Sequence, residues 1–162
     1  MKKQIIIATL FNLLICSDEF LDLIDPETEP FYNHKKDKIY LSGYTDKKPT
    51  IDGNLSESIW INIDDPSKSN VISDFIQDEP NNLMDPKNET HVIITYDKNN
   101  IYIAARLYDT NSDLIEGEIS KRDDFNPYLS DWFSIEFDTD HDHRSGYFFA
   151  VNSSGVQSDA II

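Results

Sequence analysis

From Trp132 to Asp138 the chain alternates: Phe133, Ile135 and Phe137 fall on one side, and Trp132, Ser134, Glu136 and Asp138 on the other. A two-residue period built from aromatic and β-branched residues predicts a half-buried strand. The stretch from Tyr147 to Gln157 supplies a second strand, and the polar run between the two is short enough for a hairpin loop. The pair is therefore expected to be antiparallel neighbours. The alternation assigns Phe133, Ile135 and Phe137 to the core and gives the Trp132 ring a route to solvent or to a groove.

A second pair is equally clear. His91 to Asp97 and Ile101 to Asp109 alternate and are joined by Lys98-Asn99-Asn100, whose asparagines suit positive φ in a tight turn. Ile39 to Tyr44, Pro49 to Gly53, Val71 to Gln77 and Val156 to Ile162 predict further strands. Leu55 to Trp60 predicts one helical turn capped by Asn54 or Ser56, with Trp60 in the core. Leu114 to Ser120 fits either a strand or a short helix, and Glu79 to Asn88 reads as a Pro/Asn loop. Many short strands separated by turn residues predict an all-β, antiparallel β-sandwich of jelly-roll type. The apolar end at Ile161-Ile162 predicts that further strands follow and that an edge awaits them.

At 162 residues one domain is expected, over 38–162. Residues 1–17 read as a signal peptide: Lys2-Lys3 is basic, Ile5 to Ile15 is apolar, and Ser17 follows a cleavage position. Cys16 is the only cysteine, so no internal disulfide forms. It sits where a lipoprotein cysteine would, although Ile15 is bulky for that signal. Residues 18–37, polar with Pro26 and Pro30, read as a linker or disordered arm. Lys and Arg number 14 against 30 Asp and Glu, for a net charge of −16. That balance argues against nucleic acid and anionic membranes, which need basic residues. It fits a neutral or cationic ligand, a divalent metal, or solubility alone.

Three constellations could carry chemistry. Trp132 and Glu136 share a strand face, with Arg144 in the following loop, and a flat ring beside hydrogen-bonding groups suits a sugar. Asp138, Asp140 and Asp142, at i, i+2 and i+4, could present oxygens to Ca²⁺, with Asp123, Asp124 and Asp131 as further donors. The plain alternative is a solvated acidic turn, and His141 and His143 beside it read as surface residues. Glu136 and Asp138 lie ~7 Å apart along a strand, a carboxylate pair of the kind glycoside hydrolysis uses. In a chain this acidic such pairs arise by chance, and the segment itself is expected to be non-catalytic.

Several stretches together resemble the family 9 carbohydrate-binding modules, in the divergent branch found at the front of large bacterial envelope proteins. They are Ile51-Asp52-Gly53-Asn54-Leu55-Ser56-Glu57-Ser58-Ile59-Trp60, Asp74 to Pro80, Thr95 to Asp109, Lys121-Arg122-Asp123-Asp124, and Asp131 to Gln157. The resemblance runs from about Ile39 to Ile162. It implies a sandwich that continues past Ile162 into a missing C-terminal domain, and oligosaccharide or polysaccharide as partner. It also implies structural Ca²⁺, a secreted or envelope location in a bacterium, and a parent protein linked to hydrolysis of O-glycosyl bonds. Two other readings stand beside it: a Ca²⁺-stabilised structural or assembly domain that binds no sugar, and an enzyme domain using Glu136 and Asp138.

Overall fold

The computed structural model describes residues 40–162 apart from positions 79, 82 and 143. The expected signal peptide over 1–17, Cys16 and the arm over 18–37 lie outside the described residues, as does His143. Among the described residues the regular structure is all-β, with two three-stranded sheets, 3-10 turns and no α-helix. Contacts divide the chain into two compact units.

One unit combines residues 40–73 with Thr90–Leu107. Its sheet has the order β1 (Gly43–Tyr44), β2 (Thr90–Tyr96), β3 (Ile101–Leu107). The β2–β3 hairpin runs antiparallel from Tyr96↔Ile101 to Thr90↔Leu107, as the alternation predicts. Its turn closes differently from expectation, because neither Asn99 nor Asn100 takes positive φ. Instead the Asp97 carboxylate accepts the N–H groups of Asn99 and Asn100, each at 2.7 Å, and the Tyr102 hydroxyl at 2.6 Å. A side-chain acceptor in the turn does what a left-handed asparagine would otherwise do. β1 pairs parallel to β2, so the sheet is mixed rather than wholly antiparallel.

The core of this unit is Trp60, Ile63, Val71, Ile93, Tyr102 and Ala104. A 3-10 turn over Ser58–Trp60 delivers the Trp60 ring, and the Ile63 N–H bonds the Trp60 carbonyl at 2.9 Å. No side chain caps this turn; Asn54 instead accepts the Ser56 N–H. The strand expected over Val71 to Gln77 reduces to a single bridge, Ile72↔Val92. β2 is buried from Thr90 through Thr95, on both faces.

The other unit combines Asp74–Glu89 with Tyr108–Ile162. Its sheet has the order β4 (Trp132–Phe137), β5 (Tyr147–Asn152), β6 (Gln157–Ile161), all antiparallel. The register puts Phe133, Ile135 and Phe137 on one face with Val151, Phe149 and Tyr147. It puts Trp132, Ser134 and Glu136 on the opposite face with Asn152, Ala150 and Phe148. That opposite face is where the burial is polar as well as apolar, with Ser134, Asn152 and Ser158 all buried. Leu114 to Ser120 forms neither predicted element: a 3-10 turn over Ser112–Leu114 leads into irregular chain that packs back on the β5–β6 turn.

Candidate functional site

Trp132 is buried, with 8% of its surface exposed, which corrects the expectation of a ring with a route to solvent or to a groove. Its face is covered by the chain that precedes it. Phe125 packs on the indole at 4.8 Å between centroids and meets Phe148 edge-on at 5.3 Å. The indole N–H donates to the Asn126 carbonyl at 3.0 Å, which satisfies the one polar atom the ring carries inward. Alternation could not choose the covered face, because both faces of β4–β5 carry large apolar side chains. Glu136 is half-buried on the Trp132 face, four residues and about 13 Å further along the strand. Arg144 is exposed in the loop after β4, where its backbone N–H bonds Asp142. Trp132 and Glu136 therefore stand well apart along the strand, and the Trp132 ring offers no open face.

The acidic loop spends its oxygens on its own backbone. Asp142 accepts the N–H groups of Arg144 at 2.8 Å and Ser145 at 2.9 Å, and its second oxygen accepts the Ser145 hydroxyl at 3.0 Å. These donors, the Ser145 N–H foremost, hold its carboxyl below the ordinary carboxylate value. Asp138 accepts the Asp142 N–H, and Asp140 is exposed. Asp123 and Asp131 are engaged in the same way, by the N–H groups of Asp159 and Glu116. Among the described residues no group of three or more His, Cys, Asp or Glu side chains is placed to hold a metal ion.

A different place gathers polar chemistry: the turn from Asn152 to Gln157 and the chain packed against it. Asn152 is buried, and its amide oxygen accepts the N–H groups of Ser154 and Val156, shaping the turn. Its amide nitrogen donates to the Glu118 carbonyl and to the Ser130 hydroxyl. Gly155 completes the turn at φ +81°, a conformation that glycine adopts without steric penalty. Ser153 and Ser154 donate their hydroxyls to the carbonyls of Glu116 and Gly117, both near 2.9 Å. This contact requires glycine at 117, because an added Cβ would sit 2.3 Å from the Ser154 hydroxyl.

Beyond this clamp the chain over 120–123 runs alongside β6. The Asp123 N–H bonds the Gln157 carbonyl at 3.0 Å, and the Asp159 N–H bonds the Asp123 carboxylate at 3.0 Å. Between the two stretches lies an open hollow of about 310 Å³, lined by Ser120, Arg122, Ser154, Gly155, Val156 and Gln157. Arg122 is its cation. One guanidinium nitrogen donates to Gln157 at 2.8 Å and another to Asp159, while Nε faces Asp123 at 3.8 Å. The side chain stays more than half exposed yet has a fixed direction. Held donors, hydroxyls and a backbone turn at one mouth can orient a small polar ligand, in a volume at the lower end of that of ordinary ligand sites.

Residue patterns missed this hollow because Arg122 finds its partners 35 and 37 positions away. The visible signal was Asn152-Ser153-Ser154-Gly155, a turn sequence rich in groups that bond backbone. No family model, curated protein or solved structure matches this chain.

Proposed function

We propose that this chain is a non-catalytic carbohydrate-binding module, with the hollow at Arg122 as its ligand site. The carrying observation is Arg122 itself: an exposed guanidinium fixed by Gln157 and Asp159 at the mouth of a polar depression. Sugars are recognised by such arrays because each hydroxyl both donates and accepts. The resemblance to family 9 modules supports the same reading, and with it a β-sandwich in an exported envelope protein linked to glycan breakdown. Each sheet carries apolar side chains of the kind a sandwich encloses. No aromatic residue lines the hollow, so affinity rests on hydrogen bonds and falls in the micromolar–millimolar range.

Titration calorimetry against a panel of soluble oligosaccharides tests this. Binding lost in Arg122→Ala and retained in Trp132→Phe supports the hollow. Binding that survives Arg122→Ala overturns it. One observation favours a second reading, a structural or assembly domain that binds no sugar: Trp132 is packed in the core. A folded chain that binds no member of the panel would establish that reading instead.

A further inference from the structure

We infer that the hollow selects neutral over acidic sugars, taking a pair of adjacent hydroxyls on the Arg122–Asp159 couple. The inference rests on the carbohydrate reading above and adds the ligand class. Among the described residues Arg122 is the only cation lining the hollow, and its charge is already answered: Asp159 is bonded to the guanidinium and Asp123 lies 3.8 Å from Nε. One guanidinium and two carboxylates give this three-residue group a net charge of about −1 at neutral pH. A uronate, sulfate or phosphate entering there has to displace Asp159 from Arg122 and then face a carboxylate without its partner. A hydroxyl avoids both costs. It accepts from a remaining guanidinium N–H and donates to a carboxylate oxygen, since the guanidinium has five donors and each carboxylate about four acceptor positions. The backbone geometry reinforces this. The Asp159 N–H bonds the Asp123 carboxylate, so Asp123 is held beside the guanidinium, while the Asp159 carboxylate is held by Arg122 itself. The wider charge of −16 acts in the same direction at low salt. At ~0.15 M salt it is screened beyond ~8 Å, so the lining residues decide the preference.

The test compares a neutral oligosaccharide bound by the chain with its uronate counterpart of equal length and linkage, at ~0.15 M NaCl. The wild-type chain is expected to bind the neutral sugar about tenfold more tightly, the scale of one unscreened like-charge contact at a protein surface. Asp159→Asn, verified as folded by its melt, is expected to narrow that ratio several-fold by freeing the guanidinium. A uronate bound as tightly as the neutral sugar, or a ratio that Asp159→Asn leaves unchanged, overturns the inference while the carbohydrate reading stands. Absence of binding to either sugar removes the carbohydrate reading, and this inference with it.

Discussion

The two sheets are of equal strand number and differ in how their buried polar groups are arranged. The β1–β3 sheet rests on an apolar cluster of Trp60, Ile63, Val71, Ile93, Tyr102 and Ala104, flanked by buried Thr90, Thr95 and His91, whose Nδ1 lies 2.8 Å from the Ile63 carbonyl. The β4–β6 sheet rests on Trp132, Phe125 and Phe148 together with a web of hydrogen bonds centred on Asn152. Burial of apolar area is non-directional and tolerates small shifts, whereas a hydrogen-bonded web fixes direction but fails when one member is lost. The Asn152 web shapes the turn that leads into β6, from which Gln157 and Asp159 reach Arg122.

Truncating the buried tryptophans breaks each sheet most severely. Trp60→Ala and Trp132→Ala are each expected to cost ~3–5 kcal/mol, read from denaturant melts. A Trp132→Ala variant as stable as wild type would mean that its ring is not in the core. Trp132→Phe keeps most of the packing and loses the bond to Asn126, so it is expected to cost about 1 kcal/mol beyond the lost ring area.

The hydrogen-bonded web separates the two sheets more sharply. Asn152→Ala is expected to cost ~2–3 kcal/mol, because the Ser154 and Val156 N–H groups and the Glu118 carbonyl all lose a partner. A cost no larger than for an exposed asparagine would show that water replaces these bonds freely. Gly117→Ala forces a Cβ against Ser154 and is expected to cost ~1–3 kcal/mol. Adding Ser153→Ala and Ser154→Ala should recover part of that loss, since neighbouring sites couple. Strict additivity of the costs would deny the close approach.

Acid gives the smallest effect and falls on carboxylates in both units, Asp97 and Asp142 among them. The Tyr102 hydroxyl and the turn N–H groups hold Asp97 down from 3.8 to about 2, and the Ser145 and Arg144 N–H groups lower Asp142. The unfolded chain therefore takes up protons first as pH falls. Both carboxylates stabilise the fold above about pH 4. The Asp97 contribution is lost as pH drops from there to about 2. Asp97→Asn should flatten this acid limb in melts from pH 5 to pH 2. An unchanged limb would place the acid sensitivity elsewhere.

Sequence patterns read the two hairpins well, because β3 and β4 alternate and each of β2–β3 and β4–β5 is joined by a short polar run. They misread what depends on distant chain. The parallel pairing of β1 is set by Gly43↔Thr95, fifty-two positions apart. The covered face of β4 is set by Phe125 and Asn126, which arrive from an irregular segment with no period of its own. The expectation that the Trp132 ring is open followed from that misread face. Arg122 lay in a quoted motif, but only its long-range bonds to Gln157 and Asp159 distinguish it from any other surface arginine.

The most direct test follows backbone amide and indole resonances by NMR while a neutral oligosaccharide is added to the isotope-labelled chain. The account predicts shifts at Ser120, Arg122 and Ser154 to Gln157, with the Trp132 indole signal left in place. A moving Trp132 indole with an unmoved Ser154 to Gln157 turn would contradict it.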